Sequence, residues 1–337
     1  MTAPRSPTLA DVRAAAARIA TLVPPTPVLR SAAVDDRVGT RVHLKAEHLH
    51  ATGAFKLRGA TNAVLLLDRE SAARGVAAHS SGNHAAALAV AAARRGIPCT
   101  VVMPEGTPAT KRAATESAGA RVLICEPTMQ ARADTVAKVL ADTGAVEIHP
   151  FDDLGVMAGQ GTATLELLEA VPAVRMVVAP VSGGGLLSGT AVAAHGLDPR
   201  IAVWGAEPAG ADDAFRSLAA GHLVLDEPAD TIADGLVAQL SERTLAILQI
   251  HGVRVVTVTD AEIVEAMRLL AVGVKQVVEP SGAVALAGLA ELSRTGIEVP
   301  ADVGVIVSGG NVDLDRWSEL LLGPRHGREF GERTGSP

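Results

Sequence analysis

Short apolar segments alternate with longer helix-forming segments over most of this chain, and this alternation constrains the fold more than any other feature. Residues 75–80 (GVAAHS) form an apolar run, for example, and residues 84–95 behind them carry a helical pattern. The same order recurs at later runs, namely 98–103, 120–125, 175–181, 201–207, 253–259 and 303–309. Such alternation is typical of parallel strands joined by crossover helices. We therefore predict an α/β fold with two open, mostly parallel sheets and flanking helices.

The composition argues against several classes of function. The 337-residue chain has a net charge of −7 and no basic stripe, so nucleic acid is not an expected partner. No apolar run is long enough to cross a membrane, and the first residues, MTAPRSPTLADVR, lack the apolar core of a signal peptide. The two cysteines, Cys99 and Cys125, lie in apolar runs without a metal-ligand spacing. We expect a cytoplasmic protein in a reducing compartment.

One lysine stands out in a chain that otherwise prefers arginine. The sequence has 5 lysines against 25 arginines, and Lys56 lies beside Phe55 in the stretch KAEHLHATGAFKLRGA (45–60). A primary amine loses its proton when it is desolvated and forms a Schiff base, whereas a guanidinium does neither. The pattern fits either a reactive lysine or a surface lysine that opens an amphipathic helix.

Polar or glycine-rich segments follow four of the predicted strands, at residues 80–84, 182–185, 207 and 308–311. In open α/β sheets, ligands bind beyond the carboxyl ends of the strands, so these segments are predicted to line one cleft. The glycines of the second segment lie between a strand and a helix, which suits a phosphate group but also fits a plain tight turn. A phosphate cradle and a reactive lysine together indicate pyridoxal 5′-phosphate, which has both a phosphate and an aldehyde.

The chain resembles the fold-type II pyridoxal-phosphate enzymes, specifically the serine/threonine dehydratase and serine racemase family. The resemblance covers residues 8–315 through the motifs TGAFKLRGA, SSGNHA, HPFDDLGVMAGQGT, SGGGLLSG, EPAGADD, TIADG, EPSGAVAL and SGGNVDL, in this order. It implies a tryptophan synthase β-like fold. Residues 1–48 and 150–321 would form a large cofactor-binding domain, residues 49–149 a small substrate-side domain, and residues 322–337 a flexible tail.

The resemblance also implies roles for individual residues. Lys56 matches the Schiff-base lysine, and Ser308 matches the residue that faces the pyridine nitrogen. The other matches to cofactor contacts are Phe55, Asn83, Ser182, Gly183, Gly184, Gly185, Leu186, Gly235 and Glu279, and the matches to the substrate carboxylate pocket are Ser80, Ser81, Gly82 and His84. Ser182 departs from the family, which usually has glycine there, but its hydroxyl is expected to remain able to donate to the phosphate.

A further set of residues matches a divalent-cation site found in part of this family. Glu207, Ala211 and Asp213 would supply two carboxylates and one main-chain carbonyl, which are hard oxygen ligands suited to Mg²⁺, Ca²⁺ or Mn²⁺. The two acidic residues also fit a solvated start of a helix. No ligand spacing is present among the histidines that we interpret as surface or core-edge residues, at positions 43, 48, 50, 195, 222 and 251.

The match at Ser308 carries a prediction about the reaction. A neutral serine cannot hold the pyridine nitrogen protonated as a carboxylate would, and this disfavours transamination. A substrate can instead lose a β-leaving group as its Cα proton goes to Lys56. The resemblance therefore implies β-elimination that yields a 2-oxo acid and ammonia from a hydroxy-amino acid.

Different residues point to different branches of the family. Ser81 matches the second base of the racemase branch, whereas Phe151 in HPFDD matches the threonine dehydratases, and Ala85 stands where the racemase branch usually has glycine after SSGNH. We predict a threonine or serine ammonia-lyase, with serine racemase and threo-3-hydroxyaspartate dehydratase as alternatives. A β-replacement transferase and a non-catalytic cofactor-binding protein are more remote alternatives. The family implies a homodimer or homotetramer, and we expect no inhibition by isoleucine because a C-terminal regulatory domain is missing from the sequence.

Overall fold

The computed structural model describes residues 5–80, 82–225 and 228–323, with Thr110 described only by its main chain. The strands are β1 (Val28–Leu29), β2 (Arg41–Ala46), β3 (Val76–His79), β4 (Cys99–Pro104), β5 (Arg121–Cys125), β6 (Val146–Glu147), β7 (Met176–Pro180), β8 (Ala202–Pro208), β9 (Arg254–Val258) and β10 (Asp302–Val307). The helices are α1 (Leu9–Ile19), α2 (Ala32–Val38), α3 (Lys56–Leu66), α4 (Arg69–Arg74), α5 (Asn83–Arg95), α6 (Ala109–Ser117), α7 (Met129–Thr143), α8 (Leu154–Ala170), α9 (Gly185–Leu197), α10 (Asp213–Ala220), α11 (Glu242–Ile250), α12 (Asp260–Gly273), α13 (Pro280–Arg294) and α14 (Leu314–Leu322).

These strands form two sheets. The larger has six strands in the order β1-β2-β10-β7-β8-β9, and the smaller has four in the order β5-β4-β3-β6. All neighbours are parallel except β1, which runs antiparallel to β2. The predicted α/β class with two open, mostly parallel sheets and flanking helices is therefore confirmed.

Helices cover both faces of each sheet. The large sheet packs against α2, α12 and α13 on one face and against α8, α9 and α11 on the other. The small sheet packs against α3 and α5 on one face and α7 on the other. Because water reaches neither face, central strands such as β7 (MVVAP) are continuous apolar runs rather than alternating ones. This burial explains why the strand positions could be predicted from short apolar segments.

Helix α3, which begins at Lys56, is fixed by close backbone contacts. A Cβ placed on Gly159 of α8 would lie 2.6 Å from the Cα of Gly59 in α3, so the two helices cross where neither has a side chain. Ahead of the helix, the Phe55 N–H donates to the Ser308 carbonyl over 3.0 Å. The Gly310 N–H likewise donates to the Gly53 carbonyl over 2.9 Å. The segment before Lys56 is thus paired with the segment that leaves β10.

Several expectations about elements are corrected. Helical spacing over residues 8–23 predicts one helix, but this first helix ends at Ile19. The sequence also predicts a helix over residues 211–220, and α10 begins two residues later, at Asp213, behind a short 3₁₀ turn at Ala209–Ala211. The apolar segment AVEIH (145–149) predicts a strand, which is confined to two residues. Four short helices were not predicted, namely α2, α4, α11 and α14. They are 6 to 9 residues long, which gives a helical period little room to show.

The interpretation of three histidines as surface or core-edge residues is wrong. His43, His48 and His50 are buried, and the Nε2 atom of each has a hydrogen-bond partner. For His43 this partner is the carboxylate of Asp302, a residue 259 positions away. Sequence spacing could not reveal these pairs because most of the partners come from distant parts of the chain.

Some expectations are not decided by the fold. The domain boundaries at 48/49 and 149/150 remain predictions. Of the expected tail, residue 322 is the last residue of α14, and residues 324–337 lie outside the described residues. Within the described ranges, no helix has the length and apolar character needed to cross a membrane.

Candidate active site

Lys56 occupies the first position of α3, and its amine is held by a main-chain group. The Nζ atom donates to the Pro150 carbonyl over 2.8 Å and lies 5.0 Å from the centroid of the Phe55 ring. Phe55 is partly buried and packs against the apolar core between the large sheet and α9. Burial lowers the pKa of Lys56 to about 8, because the charged ammonium loses hydration. A useful fraction of this amine is therefore uncharged near neutral pH, as a nucleophile or base requires.

The glycine loop between β7 and α9 forms the next wall of the site. Gly184 has a φ of +85°, which favours glycine, and a Cβ on Gly183 would lie 2.3 Å from the Phe151 ring. A Cβ on Gly185 would lie 2.9 Å from the Cα of Phe151. Leu186 packs its side chain into the core, so it presents only its N–H at the helix start. The first N–H groups of a helix have no intrahelical acceptor, and together with the helix dipole they suit a phosphate.

Ser182, at the start of this loop, has main-chain partners. Its hydroxyl donates to the Ala238 carbonyl over 3.0 Å and accepts the Ala238 N–H over 3.1 Å. The side chain thus fastens the loop to the segment that precedes α11. A contact of Ser182 with a phosphate stays a prediction.

The SSGNH segment lies at the carboxyl end of β3. The Ser80 hydroxyl accepts the Gly82 N–H over 3.3 Å, while Ser81 lies outside the described residues. Asn83 begins α5, and its amide donates to Glu279 Oε1 over 2.8 Å. The Asn83 carbonyl oxygen accepts from Asn311 over 2.8 Å. Loops from both sheets therefore meet at Asn83.

The His84 side chain is buried beneath this cleft. It is 2% exposed, and its Nε2 is hydrogen-bonded to the Ile148 carbonyl over 2.9 Å. Burial, reinforced by the positive charge of Lys56, lowers the pKa of His84 to about 3. The imidazole is therefore neutral and supports the small sheet, and the expected contact of a substrate carboxylate with the main-chain N–H of His84 stays a prediction.

Glu279, Ser308 and Gly235 surround the opposite side of the site. Glu279 is 5% exposed, and burial raises its pKa to about 8, so this carboxyl is protonated at neutral pH. The Ser308 hydroxyl is buried and lies 3.4 Å from the Ser281 carbonyl. The Gly235 N–H donates to the Ser281 hydroxyl over 2.9 Å, and a Cβ at Gly235 would meet that same oxygen. The structure thus gathers these three positions around Ser281.

The residues predicted to bind a cation form a separate site behind the glycine loop. Glu207 is 1% exposed; its Oε1 accepts the Phe215 N–H over 2.6 Å, while its Oε2 is buried without a hydrogen-bond partner within the described part of the chain. Asp213 accepts the Leu240 N–H over 3.0 Å. Burial raises the pKa of Glu207 to about 9 and that of Asp213 to about 6, and each carboxylate also feels neighbouring acidic groups.

The chemistry of this second site fits a hard cation. A buried carboxylate oxygen without a partner, close to a second carboxylate, is an arrangement that Mg²⁺ or Ca²⁺ would stabilise. Ala211 lies in the 3₁₀ turn just before Asp213, and a cavity of about 160 Å³ is lined by this turn and by Asp230. Among the described residues, no group of three or more His, Cys, Asp or Glu side chains is arranged for a metal ion. A cation here would therefore depend on main-chain oxygen and water as well.

The sequence did not reveal the buried charge cluster beneath α3. Arg58, which is fully buried, donates to Glu47 Oε2 and to Glu166 Oε1, each over 2.6 Å. Lys45 donates to Glu166 Oε2 over 2.5 Å. The cluster joins α3, α8 and β2, and so anchors the helix that carries Lys56. Arg58 is part of the motif KLRGA, but its partners are 11 and 108 residues away.

A second positive charge that the sequence did not single out lies near the small-sheet side of the site. Arg132 of α7 has its Nε buried without a hydrogen-bond partner among the described residues. Burial, together with this guanidinium, lowers the pKa of His79, the last residue of β3. Arg132 is therefore close to the strand end from which the SSGNH segment departs.

Comparisons with known proteins show which family the chain belongs to. A family model described as pyridoxal-phosphate dependent enzyme matches residues 19–309. The β-hydroxyaspartate dehydratase of Paracoccus denitrificans is 45% identical over 310 residues, which are 92% of this chain and 98% of that protein. Maize serine racemase has a TM-score of 0.91 at 42% identity, covering 93% of this chain and 96% of the other. The threonine deaminase from T.th. has a TM-score of 0.85 at 44% identity, covering 91% and 99%.

The residues that the structure brings together are those a pyridoxal-phosphate enzyme needs. They provide an amine of lowered pKa and a glycine loop at a helix start, with uncharged groups around them. The family match spans most of the chain, and the similarity to the three relatives extends over nearly their full lengths. The chain belongs to the pyridoxal-phosphate-dependent enzymes, in the fold-type II group that includes serine racemase, hydroxyaspartate dehydratase and threonine deaminase.

Proposed function

We propose that the protein removes water from a 3-hydroxy amino acid by β-elimination and releases a 2-oxo acid and ammonia. The observation that carries the proposal is the Lys56 amine, whose pKa is lowered to about 8 at the mouth of a glycine loop. L-Threonine and L-serine are the first candidate substrates, because Phe151 matches the threonine dehydratases and Ala85 departs from the glycine usual in the racemase branch.

Each step that we assign to the protein uses a group already described. Pyridoxal 5′-phosphate, when bound, supplies an electron sink that acidifies the Cα–H bond of an attached amino acid. The neutral Lys56 amine takes the Cα proton, and the Pro150 carbonyl orients that amine through one N–H. The N–H groups of residues 183–186 would hold the phosphate at the start of α9. Asn83 and the protonated Glu279 would bind near the cofactor ring without adding charge.

Ser308 decides which reaction follows. Its hydroxyl is buried and neutral, so it would leave the pyridine nitrogen uncharged. An uncharged ring withdraws electrons less strongly, and loss of a β-hydroxyl then competes well with transamination. The β-hydroxyl would leave as water with the proton that Lys56 had taken from Cα, and the dehydrated product would then take up water to give the 2-oxo acid and ammonia.

A second candidate substrate is threo-3-hydroxyaspartate. Arg132 offers a guanidinium near the end of β3 whose Nε has no partner within the described residues, and a second substrate carboxylate would complement it. The similarity to a β-hydroxyaspartate dehydratase points in the same direction. Serine racemisation is the remaining alternative and would use Ser81 as the second base.

We also propose that Glu207, Ala211 and Asp213 bind a divalent cation, and that the chain forms a homodimer or homotetramer. The cation would relieve the cost of burying the two carboxylates. Light scattering during size-exclusion chromatography, with Mg²⁺ or with a chelator, measures the assembly and its dependence on the cation.

The experiment that tests the function measures 2-oxo acid release from L-threonine, L-serine and threo-3-hydroxyaspartate. The Lys56→Ala variant should lose about 10³-fold or more in kcat, since it lacks both the cofactor attachment and the base. Lys138→Ala, which removes an exposed lysine of α7, is the matched control and should retain full activity. Attachment of pyridoxal 5′-phosphate to the cofactor-free protein should become faster as pH rises through about 8, because only the unprotonated Lys56 amine adds to the aldehyde.

The outcomes separate the candidates. Turnover led by threonine or serine supports the first substrates, and turnover led by hydroxyaspartate that falls selectively in Arg132→Ala supports the second. If serine is inverted without 2-oxo acid release, the protein is a racemase and the lyase proposal is wrong.

A further inference from the structure

The short loop at residues 149–153, within the motif HPFDDLGVMAGQGT, contacts both Lys56 and the glycine loop. It connects β6 to α8, and the Pro150 carbonyl accepts the hydrogen bond from Lys56. The Phe151 ring lies against Gly183 so closely that no Cβ would fit there. Asp153 caps α8 by accepting the Val156 N–H over 2.8 Å. A group that holds this loop in place therefore also positions the Lys56 amine and supports the glycine loop.

The imidazole of His149 is the group that closes the loop. Its Nδ1 atom accepts the Asp152 N–H over 2.9 Å and the Phe151 N–H over 3.4 Å. A ring nitrogen that accepts from main-chain N–H groups carries no proton, so this pattern assigns the proton to Nε2. The ring also packs edge-on against the Phe151 ring, with 4.6 Å between the centroids.

A second fastening lies on the outer side of the loop. Arg243, in the first turn of α11, donates to the Asp152 carbonyl over 3.0 Å and to Asp152 Oδ1 over 2.8 Å. The next residue, Thr244, lies against Gly184, where a Cβ would be 2.7 Å from the threonine Cβ. The loop and the glycine segment are thus held by the same helix.

We propose that His149 is a positioning residue for Lys56: by accepting two main-chain N–H groups at Nδ1, it holds the Pro150 carbonyl where the Lys56 amine donates to it. The proposal rests on the proposed function, because it concerns the amine that attaches the cofactor and takes the Cα proton. Without the acceptor, the turn loses its closure and the carbonyl no longer fixes the direction of the amine. Effective proton transfer requires such fixed geometry.

The charge state of His149 agrees with this role. Burial lowers its pKa to about 4, and the favourable charge of Asp152 is opposed by the groups His79, Lys56 and Arg243. The ring therefore remains neutral, and Nδ1 remains an acceptor, across the range in which Lys56 titrates. A protonated ring would place an N–H opposite two other N–H groups.

Two substitutions at position 149 separate the acceptor from the ring. His149→Asn keeps an acceptor, because an asparagine oxygen commonly accepts the N–H groups two and three residues later. His149→Phe keeps the aromatic packing against Phe151 but has no acceptor. His149→Leu replaces the phenylalanine variant if that variant does not fold, and thermal unfolding of each variant checks folding.

The main readout does not require turnover. Cofactor-free protein is mixed with excess pyridoxal 5′-phosphate, and its attachment to Lys56 is followed by absorbance and by borohydride trapping. We expect attachment about 10-fold slower in His149→Phe and within about 3-fold of wild type in His149→Asn, since one well-placed hydrogen bond is worth roughly that factor. The kcat values for the active substrate should follow the same order with little change in KM.

The results separate this proposal from the proposed function. If attachment follows the expected order but no substrate is consumed, the positioning role stands and the assigned reaction fails. If the phenylalanine variant behaves as wild type while the asparagine variant is slow, the ring and not the acceptor matters, and the proposal is overturned. Equal losses in both variants, or no loss in either, also overturn it.

Discussion

The protein buries carboxylates in two places and compensates their charges in different ways. Beneath α3, Glu47 and Glu166 are bonded to Arg58, and despite burial the pKa of each carboxyl stays below its ordinary value. Behind the glycine loop, Glu207 and Asp213 form no ion pair with Lys or Arg in residues 5–80, 82–225 and 228–323, and their pKa values are raised. The same side-chain type is thus held ionised in one region and driven toward the protonated form in the other.

The difference separates scaffolding from a site that needs a ligand. A buried ion pair with complete hydrogen bonding needs no ligand to compensate its charges. Removing one partner nevertheless leaves an unpaired buried charge, which is strongly destabilising. A buried carboxylate pair without a cation is stable only when it is protonated or when a cation arrives from solution. The first arrangement fixes the helix that carries Lys56. The stability of the second depends on the pH and on the concentration of a divalent cation.

The largest expected effect comes from breaking the compensated cluster. Glu47→Gln leaves Arg58 buried with only part of its positive charge compensated, and we expect a loss of about 3–5 kcal/mol in the free energy of unfolding. Urea unfolding measures it. Glu70→Gln, the same change at an exposed i,i+4 ion pair, is the control and should have almost no effect. Equal, small effects of both changes would show that the buried cluster contributes little.

A smaller effect is expected at the uncompensated pair, and only when a cation is present. At about 100 times its dissociation constant, Mg²⁺ should stabilise the wild type by roughly 2.7 kcal/mol. The Glu207→Gln variant should lose most of this gain, yet in chelator it should be no less stable than the wild type, because Glu207 must be protonated to stay buried there. Thermal unfolding with and without Mg²⁺ measures both. An undiminished response to Mg²⁺ in the variant would contradict the assignment of Glu207.

The smallest expected effect is the change in the free energy of unfolding per pH unit. The sign of this change differs between the two regions. Burial raises the pKa of Glu207 from 4.5 to about 9. The contribution of its protonated carboxyl to the free energy of unfolding is therefore complete below pH 4.5 and is lost as the pH rises through about 9. In chelator, the wild type should therefore lose about 1.4 kcal/mol per pH unit near pH 7 relative to Glu207→Gln. The pKa of Glu47 is lowered, so its ionised carboxylate stabilises the fold above pH 4.5. This stabilisation is lost when acid protonates the carboxylate. Urea unfolding at several pH values tests both; parallel curves for wild type and Glu207→Gln would refute the assignment.

Local pattern in the sequence was enough to predict the architecture. Strands such as β7 and β10 are buried on both faces and therefore stand out as apolar runs. The segments that follow them had to lie at one edge of the sheet, which is why the glycine loop and Ser308 could be anticipated near Lys56. The short helix α11 gave no such signal, although its Ser241–Thr244 capping box was present in the sequence.

Side-chain partners were much harder to predict, because they depend on contacts between distant segments. Ser182 bonds to Ala238 and His84 to Ile148, and neither of these side-chain partners could be inferred from the sequence. Arg58 was visible within a motif, but its carboxylate partners were not. His149 was equally visible in HPFDD, and only the three-dimensional turn shows which of its atoms is in use.

The pairing of residues 53–55 with residues 308–310 ties the reactive amine to the end of β10. Through these bonds Lys56 is held by the large sheet, even though α3 packs on the face of the small sheet. Asn83 of the SSGNH segment is bonded to Asn311, just beyond the same strand end. One strand end is therefore the common reference for the positions of Lys56, Ser308 and Asn83.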